Sequence, residues 1–184
     1  MNVDQTEGYI GDTKSWLERA VIGLNLCPFA KAVYVKGQIR IVVSEAASVE
    51  ALIENLMIEL NHLANADKEM IDTTLLIHPH VLNDFLDYND FLEIADATVE
   101  ELGLSNEIQI ASFHPQYQFA DTELGDITNF TNRSPYPTLH LLREASVEKA
   151  VAAFPDAADI FEKNKETLEK LGHSGWQELI MKPV

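Results

Sequence analysis

The chain has 184 residues, of which 30 are acidic and 13 are Lys or Arg, so its formal net charge at pH 7 is −17. A field of that sign repels phosphate backbones and anionic bilayers, which argues against nucleic acid and membrane surfaces as partners. The length and the 46% hydrophobic content suffice for one domain spanning residues 1–184, with tails expected at 1–11 and 173–184.

Apolar periodicity and turn residues predict strands that alternate with helices. In chain order, the predicted elements are a helix over Trp16 to Leu24 that ends before Pro28, a strand at 39–44, a helix with inner residues from Val49 to Leu63, a strand at 73–78, a helix with inner residues from Phe85 to Leu102, strands at 107–114 and 138–144, and helices at 146–154 and 156–171 separated at Pro155. The expected N-caps are Asp12 or Thr13, Ser48 and Asn83, and the expected stops are Gly103 and Gly172.

The alternation of strands and helices favours βαβ units whose sheet is covered by helices. We predict an α/β (or α+β) fold with a helix-covered mixed sheet of about four strands in βαβαβ-(long loop)-βα order. The fourth strand follows the third without an intervening helix, so it can pair antiparallel. A ferredoxin-like arrangement is the alternative.

Three features bear on the cellular setting. The single cysteine cannot form an internal disulfide and is typical of a reducing compartment. The first residues, MNVDQTEGYIGD, lack the basic and apolar regions of a signal peptide, and no apolar run approaches the ~20 residues of a membrane span. We therefore expect a soluble cytoplasmic protein.

The segment from Ser112 to His140 is unusually long and polar for a connection between strands. Loops of that length usually carry function or are disordered. Disordered segments are poor in aromatic residues, whereas this one contains Phe113, Tyr117, Phe119, Phe130 and Tyr136. We predict an ordered functional loop over residues 114–137.

Two predicted strands, 73–78 and 107–114, end in a His-Pro pair. Proline holds the residue before it extended, so each histidine is fixed at the carboxyl end of its strand. If the two strands are parallel, His78 and His114 share one edge of the sheet, where open α/β sheets bind their ligands. His140 differs, because it lies inside a strand and is expected to be a satisfied sheet histidine.

Imidazoles and carboxylates at one edge suit general acid–base chemistry or a divalent metal. The candidate catalytic residues of this kind are His114, His78 and Asp121, and the candidate metal ligands are His78, His80 and His114. The alternative for each histidine is a chain terminator whose ring bonds a nearby carbonyl, since no recognised ligand spacing is present.

Arg133 stands in a turn rich in hydrogen-bonding side chains and amid many acidic residues. A guanidinium in such surroundings can grip a carboxylate or phosphate, which predicts a small anionic ligand. The candidate binding residues are Arg133, Asn129, Asn132, Ser134 and Tyr136. The alternative is an arginine that pairs with the acids of its own loop.

Cys27 lies in the corner LNLCPFA after the first predicted helix. It is a catalytic candidate if His78 or His114 lowers the pKa of its thiol. Its apolar neighbours favour the alternative, a small buried hydrophobic residue.

Four stretches of the chain resemble a bacterial family of uncharacterised proteins, domain of unknown function 1415. They are WLERAVIGLNLCPFAKAV, HPHVLNDFLDYNDFLEIAD, ASFHPQYQFADT and DITNFTNRSPYPTLHLLREASVEKAVAAFPDA. The resemblance covers most of the chain and implies a single-domain bacterial protein. It implies no activity, cofactor or catalytic residue.

The first functional hypothesis is a small-molecule enzyme, in which the histidines and Asp121 act on an anionic substrate held by Arg133, with metal assistance. The alternatives are a non-catalytic protein that binds a ligand in the same pocket, and a protein-interaction module that uses the aromatic 114–137 loop. An exposed aromatic patch would favour the module, whereas a closed pocket lined by the histidines and Arg133 would count against it. The oligomeric state is left open.

Overall fold

The computed structural model describes residues 3–153 and 159–181, which form an α/β structure. The helices are α1 (Val3–Trp16), α2 (Ala30–Val35), α3 (Val49–Asn65), α4 (Phe85–Glu101), α5 (Glu144–Ala153) and α6 (Ile160–Met181). The strands are β1 (Ile39–Val43), β2 (Thr73–Ile77), β3 (Ile108–Phe113) and β4 (Thr138–Arg143). Helix α1 continues as a π-helix over Leu17–Ile22, and a short 3₁₀ helix covers Ile127–Thr131.

Over the described residues the strands form one mixed sheet in the order β1-β2-β4-β3. Strand β4 is antiparallel to both β2 and β3, so β1, β2 and β3 all point the same way and end at one edge. The prediction of a helix-covered mixed sheet is confirmed. The ferredoxin-like alternative is wrong, because the observed order is β-α-β-α-β-β rather than β-α-β-β-α-β.

Helices cover both faces of the sheet. On one face, α3 and α4 bury Leu56 and Phe91 against sheet residues such as Leu76. On the other face, the π-helix and α6 pack Trp16, Trp176 and their neighbours into a second cluster. Strand β2 is buried at every position, as expected for a strand covered on both sides.

The start of helix α4 matters most for the site, because it lies beside the long loop. Its N-cap is Asp84 rather than the predicted Asn83: the Asp84 carboxylate accepts hydrogen bonds from the backbone N–H groups of Leu86 at 2.9 Å and Asp87 at 3.3 Å. Either side chain can cap a helix, and only the backbone conformation decides between neighbours. Ser48 caps α3 as predicted.

Both ends of the chain contain helix where tails were expected. Helix α1 begins at Val3, so Asp12 and Thr13 lie inside it rather than at its start. Gly172 interrupts α6 with a φ of +64°, yet the chain continues as helix to Met181. The predicted break at Pro155 lies outside the described residues. In the part of the chain that the structure describes, no helix has the length and apolar character needed to cross a bilayer.

Candidate functional site

The two strand-end histidines lie on the same edge of the sheet. The His78 backbone N–H donates to the Pro137 carbonyl at 3.0 Å, and that of His114 donates to the Asn132 carbonyl at 3.2 Å. Both side chains are fully buried against the Tyr88 ring, at centroid distances of 5.6 Å for His78 and 5.0 Å for His114. The parallel strands therefore bring the two imidazoles to one buried stack, centred on Tyr88.

The His78 ring is enclosed and neutral. Its Nδ1 lies 3.1 Å from the Val81 carbonyl, which can only accept, so Nδ1 carries the proton. Its Nε2 has no hydrogen-bond partner among the described residues. Burial lowers the pKa of His78 to about 4, because the charged form would lose its hydration.

The His114 ring has both nitrogens bonded to backbone groups. Nδ1 accepts from the Gln116 N–H at 3.0 Å, which leaves the proton on Nε2 to be donated to the Leu82 carbonyl at 3.2 Å. Burial lowers the pKa of His114 as well. This ring therefore ties the loop to the segment that leads into α4, and neither nitrogen is available to a substrate or metal.

The predicted metal ligands do not assemble. His80 is exposed and its ring meets the edge of Tyr9 at a centroid distance of 5.9 Å. Within residues 3–153 and 159–181, no three His, Cys, Asp or Glu side chains are grouped so that they could hold a metal ion. Burial of His78 and the bonded nitrogens of His114 explain why the strand-end pattern does not produce a ligand set.

Cys27 and the two imidazoles contact different packing clusters. Cys27 packs against the cluster of the π-helix and α6, whereas the histidines contact Tyr88 in the α3–α4 cluster. Burial raises the pKa of the Cys27 thiol, which disfavours the thiolate needed for nucleophilic attack. The contacts of this half-buried residue are those of a small packing residue, the alternative raised by the sequence.

The Arg133 guanidinium binds the backbone of its own loop. Nε donates to the Tyr117 carbonyl at 3.0 Å and one Nη to the Leu124 carbonyl at 2.8 Å, and the group lies 4.5 Å from the centre of the Phe130 ring. Both alternatives predicted a negatively charged partner, either a ligand or a loop carboxylate. The observed partners are carbonyl oxygens, which the sequence pattern does not distinguish from other acceptors.

Removing this guanidinium should loosen the loop. We expect Arg133→Ala to lower the free energy of unfolding by about 2 kcal/mol, because two charged hydrogen bonds are lost at a partly exposed site. For a chain of this size that corresponds to roughly 4–8 °C in Tm, measured by thermal melting followed by circular dichroism. Arg133→Lys should recover only part of the lost stability, because a single ammonium group cannot donate to both carbonyls with the geometry of the guanidinium. An unchanged Tm in the alanine variant would show that these bonds do not stabilise the fold.

Asn129 is the centre of the loop's hydrogen bonding. Its fully buried amide accepts from the Phe119 N–H at 3.0 Å and from the Thr122 hydroxyl at 2.7 Å, and donates to the Glu123 carbonyl at 2.9 Å. Its predicted role was to bind a ligand. The geometry shows that all of these contacts are internal and that they fold the 119–123 turn.

The other candidate residues of the loop are divided between internal bonds and the surface. Asn132 donates to the Ser112 carbonyl at 3.2 Å, the Ser134 hydroxyl donates to the Tyr136 carbonyl at 2.6 Å, and the Tyr136 hydroxyl donates to Asp12 at 2.5 Å. The Asp121 carboxylate is exposed. The loop is therefore ordered, as predicted, and most of its polar side chains serve that order.

A cavity of about 210 Å³ lies where the loop meets the start of α4. Its lining residues were not predicted from the sequence, and they are Asp84, Phe85, Leu86, Gln116, Gln118 and Leu124. Leu86 is 71% exposed and Leu124 is 63% exposed. One sequence signal could have identified Leu86 and Leu124: each is a large apolar residue among acidic neighbours. Neither position is accounted for by the apolar face of a helix or strand. Below the cavity, Phe85 contacts the His114 ring at a centroid distance of 5.4 Å.

Aromatic rings extend from this cavity across the surface as a ladder. Phe85 contacts Tyr117 at 5.2 Å, Tyr117 contacts Phe119 at 5.1 Å, and Phe119 contacts Phe161 at 5.7 Å between ring centres. Phe161, at the end of the ladder, is 48% exposed. We refer to the six cavity-lining residues together with Tyr117, Phe119 and Phe161 as the α4–loop face.

Comparisons with known proteins give one informative result. No curated protein matches the chain, and no solved structure matches it. A family model described as a protein of unknown function, DUF1415, matches residues 8–178, which is nearly the full length. The resemblance found in the sequence motifs is thereby confirmed. This chain belongs to the DUF1415 family of proteins of unknown function.

Proposed function

We propose that this protein is a non-catalytic interaction module that docks a segment of a partner protein on the α4–loop face. The polar groups expected to serve an enzyme have other partners: both His114 nitrogens and the Arg133 guanidinium bond to backbone groups, and His78 is sealed inside. The loop presents to the outside the exposed Leu124, half-buried aromatic rings and exposed carboxylates. Of the three hypotheses raised by the sequence, these contacts favour the interaction module.

The observation that carries this proposal is the cavity between Leu86 and Leu124. Its volume of about 210 Å³ is below the roughly 300–1,000 Å³ typical of small-molecule pockets. A space of this size beside exposed apolar side chains suits one large anchoring side chain of a partner. Burying the two leucines in an interface would also remove apolar surface that is now in contact with water.

The construction of the face supports a docking role through its rigidity. Asn129 and Arg133 fix the backbone at Phe119, Tyr117 and Leu124, so the ladder is held in place before any partner arrives. A preorganised surface loses little conformational entropy on binding. The polar residues Asn129 and Arg133 would then contribute to binding indirectly, because they fix the backbone that carries Tyr117 and Phe119.

A peptide selection tests the proposal without knowledge of the natural partner. A library of random 12-residue peptides displayed on phage is selected against the wild-type protein, and the binders are then tested on Leu86→Asp/Leu124→Asp. We expect these binders to lose at least tenfold in affinity for the double variant, since hot-spot contacts dominate such interfaces. Both side chains are mostly exposed, so the double variant should keep the wild-type Tm.

The matched control is Ile58→Asp/Met70→Asp. It also replaces two exposed apolar side chains by acids, but on α3 and in the turn that follows it, away from the face. Binders that retain affinity for this control and lose it for the Leu86/Leu124 variant support the proposal. Binders that respond equally to both variants, or a selection that yields none specific for the face, would overturn it.

A further inference from the structure

The net charge of the chain lies in one continuous part of it. Residues 41–132 contain 18 acidic residues and a single basic residue, Lys68, which gives that segment a charge of −17. The remaining residues contain 12 acidic and 12 basic side chains and are formally neutral. The segment 41–132 comprises most of β1, all of α3, α4, β2 and β3, and most of the loop, and therefore includes most of the α4–loop face.

From this charge distribution we propose that the partner segment docked on the α4–loop face is cationic, with lysine or arginine residues flanking a large apolar anchor. This inference rests on the proposed function and specifies its partner. The anchor would occupy the cavity between Leu86 and Leu124. The cations would lie against the carboxylates around it.

The carboxylates at the rim are placed to meet such cations. Asp84 lines the cavity itself and Asp87 follows it on the first turn of α4. Asp121 and Glu123 lie within three residues of the cavity-lining Leu124 in the sequence. Asp87, Asp121 and Glu123 are all exposed. An apolar centre with a charged rim is the usual arrangement of a protein interface. Around the cavity the charged side chains are acidic, and a cation lies at the far end of the face, where the Lys165 ammonium is 5.4 Å from the centre of the Phe161 ring.

The two arginines nearest in sequence direct their hydrogen bonds to backbone groups. Arg133 directs its donors to the carbonyls of Tyr117 and Leu124. Arg143 directs its donors to three carbonyls at the end of α3 and in the segment before β2, those of Leu63, Ala66 and Ile71. Both guanidiniums stabilise backbone turns rather than form hydrogen bonds to the carboxylates of the face.

The same peptide selection tests this inference by a separate readout, the composition of the peptides that map to the face. We expect Lys and Arg to be enriched in them relative to the unselected library. A synthetic face-specific peptide should lose affinity when its cations are replaced by glutamine. It should also bind more weakly as NaCl is raised, because exposed charges are screened.

The protein-side variant is Asp121→Asn/Glu123→Gln, which removes two charges without changing side-chain size. We expect a roughly fivefold loss of affinity for the cationic peptide, measured by fluorescence anisotropy at low salt, because two exposed ion pairs are each modest. The matched control, Glu7→Gln/Glu169→Gln, removes two exposed charges on α1 and α6 and should leave the affinity unchanged.

The outcomes separate the inference from the proposed function. Face-specific peptides without cation enrichment would overturn the inference and leave the docking role standing. The absence of any face-specific peptide would overturn both. Self-association in sedimentation experiments that Leu86→Asp/Leu124→Asp abolishes would assign the face to a second copy of the chain, and would also overturn the inference.

Discussion

Replacing Asn129 by alanine should destabilise the protein by about 3 kcal/mol, because it removes three partly buried hydrogen bonds of about 1 kcal/mol each. The Phe119 N–H and the Glu123 carbonyl lose hydrogen bonds of 3.0 and 2.9 Å, and the Thr122 hydroxyl loses an acceptor. The Asn129 side chain itself is fully buried, so its removal also leaves an unfilled space inside the loop. The expected change is roughly 6–12 °C in Tm.

A second amide of the same loop provides the comparison. Asn132 is half-buried and its side chain donates one hydrogen bond, to the Ser112 carbonyl at 3.2 Å. We expect Asn132→Ala to cost about 1 kcal/mol. A Tm for Asn129→Ala equal to or above that of Asn132→Ala would contradict the central role of Asn129.

Asn129→Asp separates the accepting side of this amide from its donating side. The aspartate keeps an oxygen toward the Phe119 N–H but places a second oxygen against the Glu123 carbonyl, where the native NH₂ group donates. We therefore expect the Asn129→Asp variant to be less stable than wild type, although aspartate and asparagine side chains have the same size. Limited proteolysis should cleave both Asn129 variants faster than wild type within residues 116–124, because the turn is less firmly held.

The fold was largely predictable from the sequence because its signals are local. Strand β1 is a compact run rich in β-branched residues, and helices α3 and α4 each show a regular apolar stripe. Helix α1 was missed over most of its length because it is mainly polar and buries only Thr13 and Trp16. A helix without an extended apolar face lacks the 3.6-residue spacing of apolar side chains from which helices are predicted.

The site was less predictable, because composition shows which polar groups are present but not what they bond. The sequence predicted that His78 and His114 share one edge of the sheet if their strands are parallel, and the structure shows that they do. The sequence could not show that Arg133 and Asn129 bind backbone groups, since carbonyl and N–H partners exist at every residue. The exposed leucines became meaningful only when the fold placed Leu86 and Leu124 on either side of one cavity.

Acidification should unfold this protein in a pH range set by its buried histidines. Burial lowers the pKa of His78 to about 4, against an ordinary value of 6.5, and lowers the pKa of His140 to about 4 as well. Above pH 7 both rings are neutral in the folded and unfolded states, so they add no pH dependence. As the pH falls from about 6.5 to about 4, only the unfolded chain takes up the protons, and stability is lost progressively.

The expected loss is large for His78 alone. A difference between 6.5 and about 4 corresponds to about 3 kcal/mol for a fully buried group. The groups that face its ring, Tyr88 and His114, do not offset this loss: burial raises the pKa of Tyr88 and lowers that of His114, so both are neutral near pH 7. The Val81 carbonyl favours the charged His78 ring, but burial outweighs it, and the pKa is lowered.

The measurement is the free energy of unfolding in urea at intervals between pH 7.5 and 4.5. Wild type should show a flat region above pH 7 and a steady decline below 6.5. His78→Gln removes one of the titrating rings, so its decline should be shallower by about 3 kcal/mol over the full range, whatever its stability at pH 7.5. His62→Gln, which changes an exposed histidine on α3, should reproduce the wild-type slope. If His78→Gln also kept the wild-type slope, the imidazole would have to be protonated in the folded state, and the sealed, neutral stack around Tyr88 would be wrong.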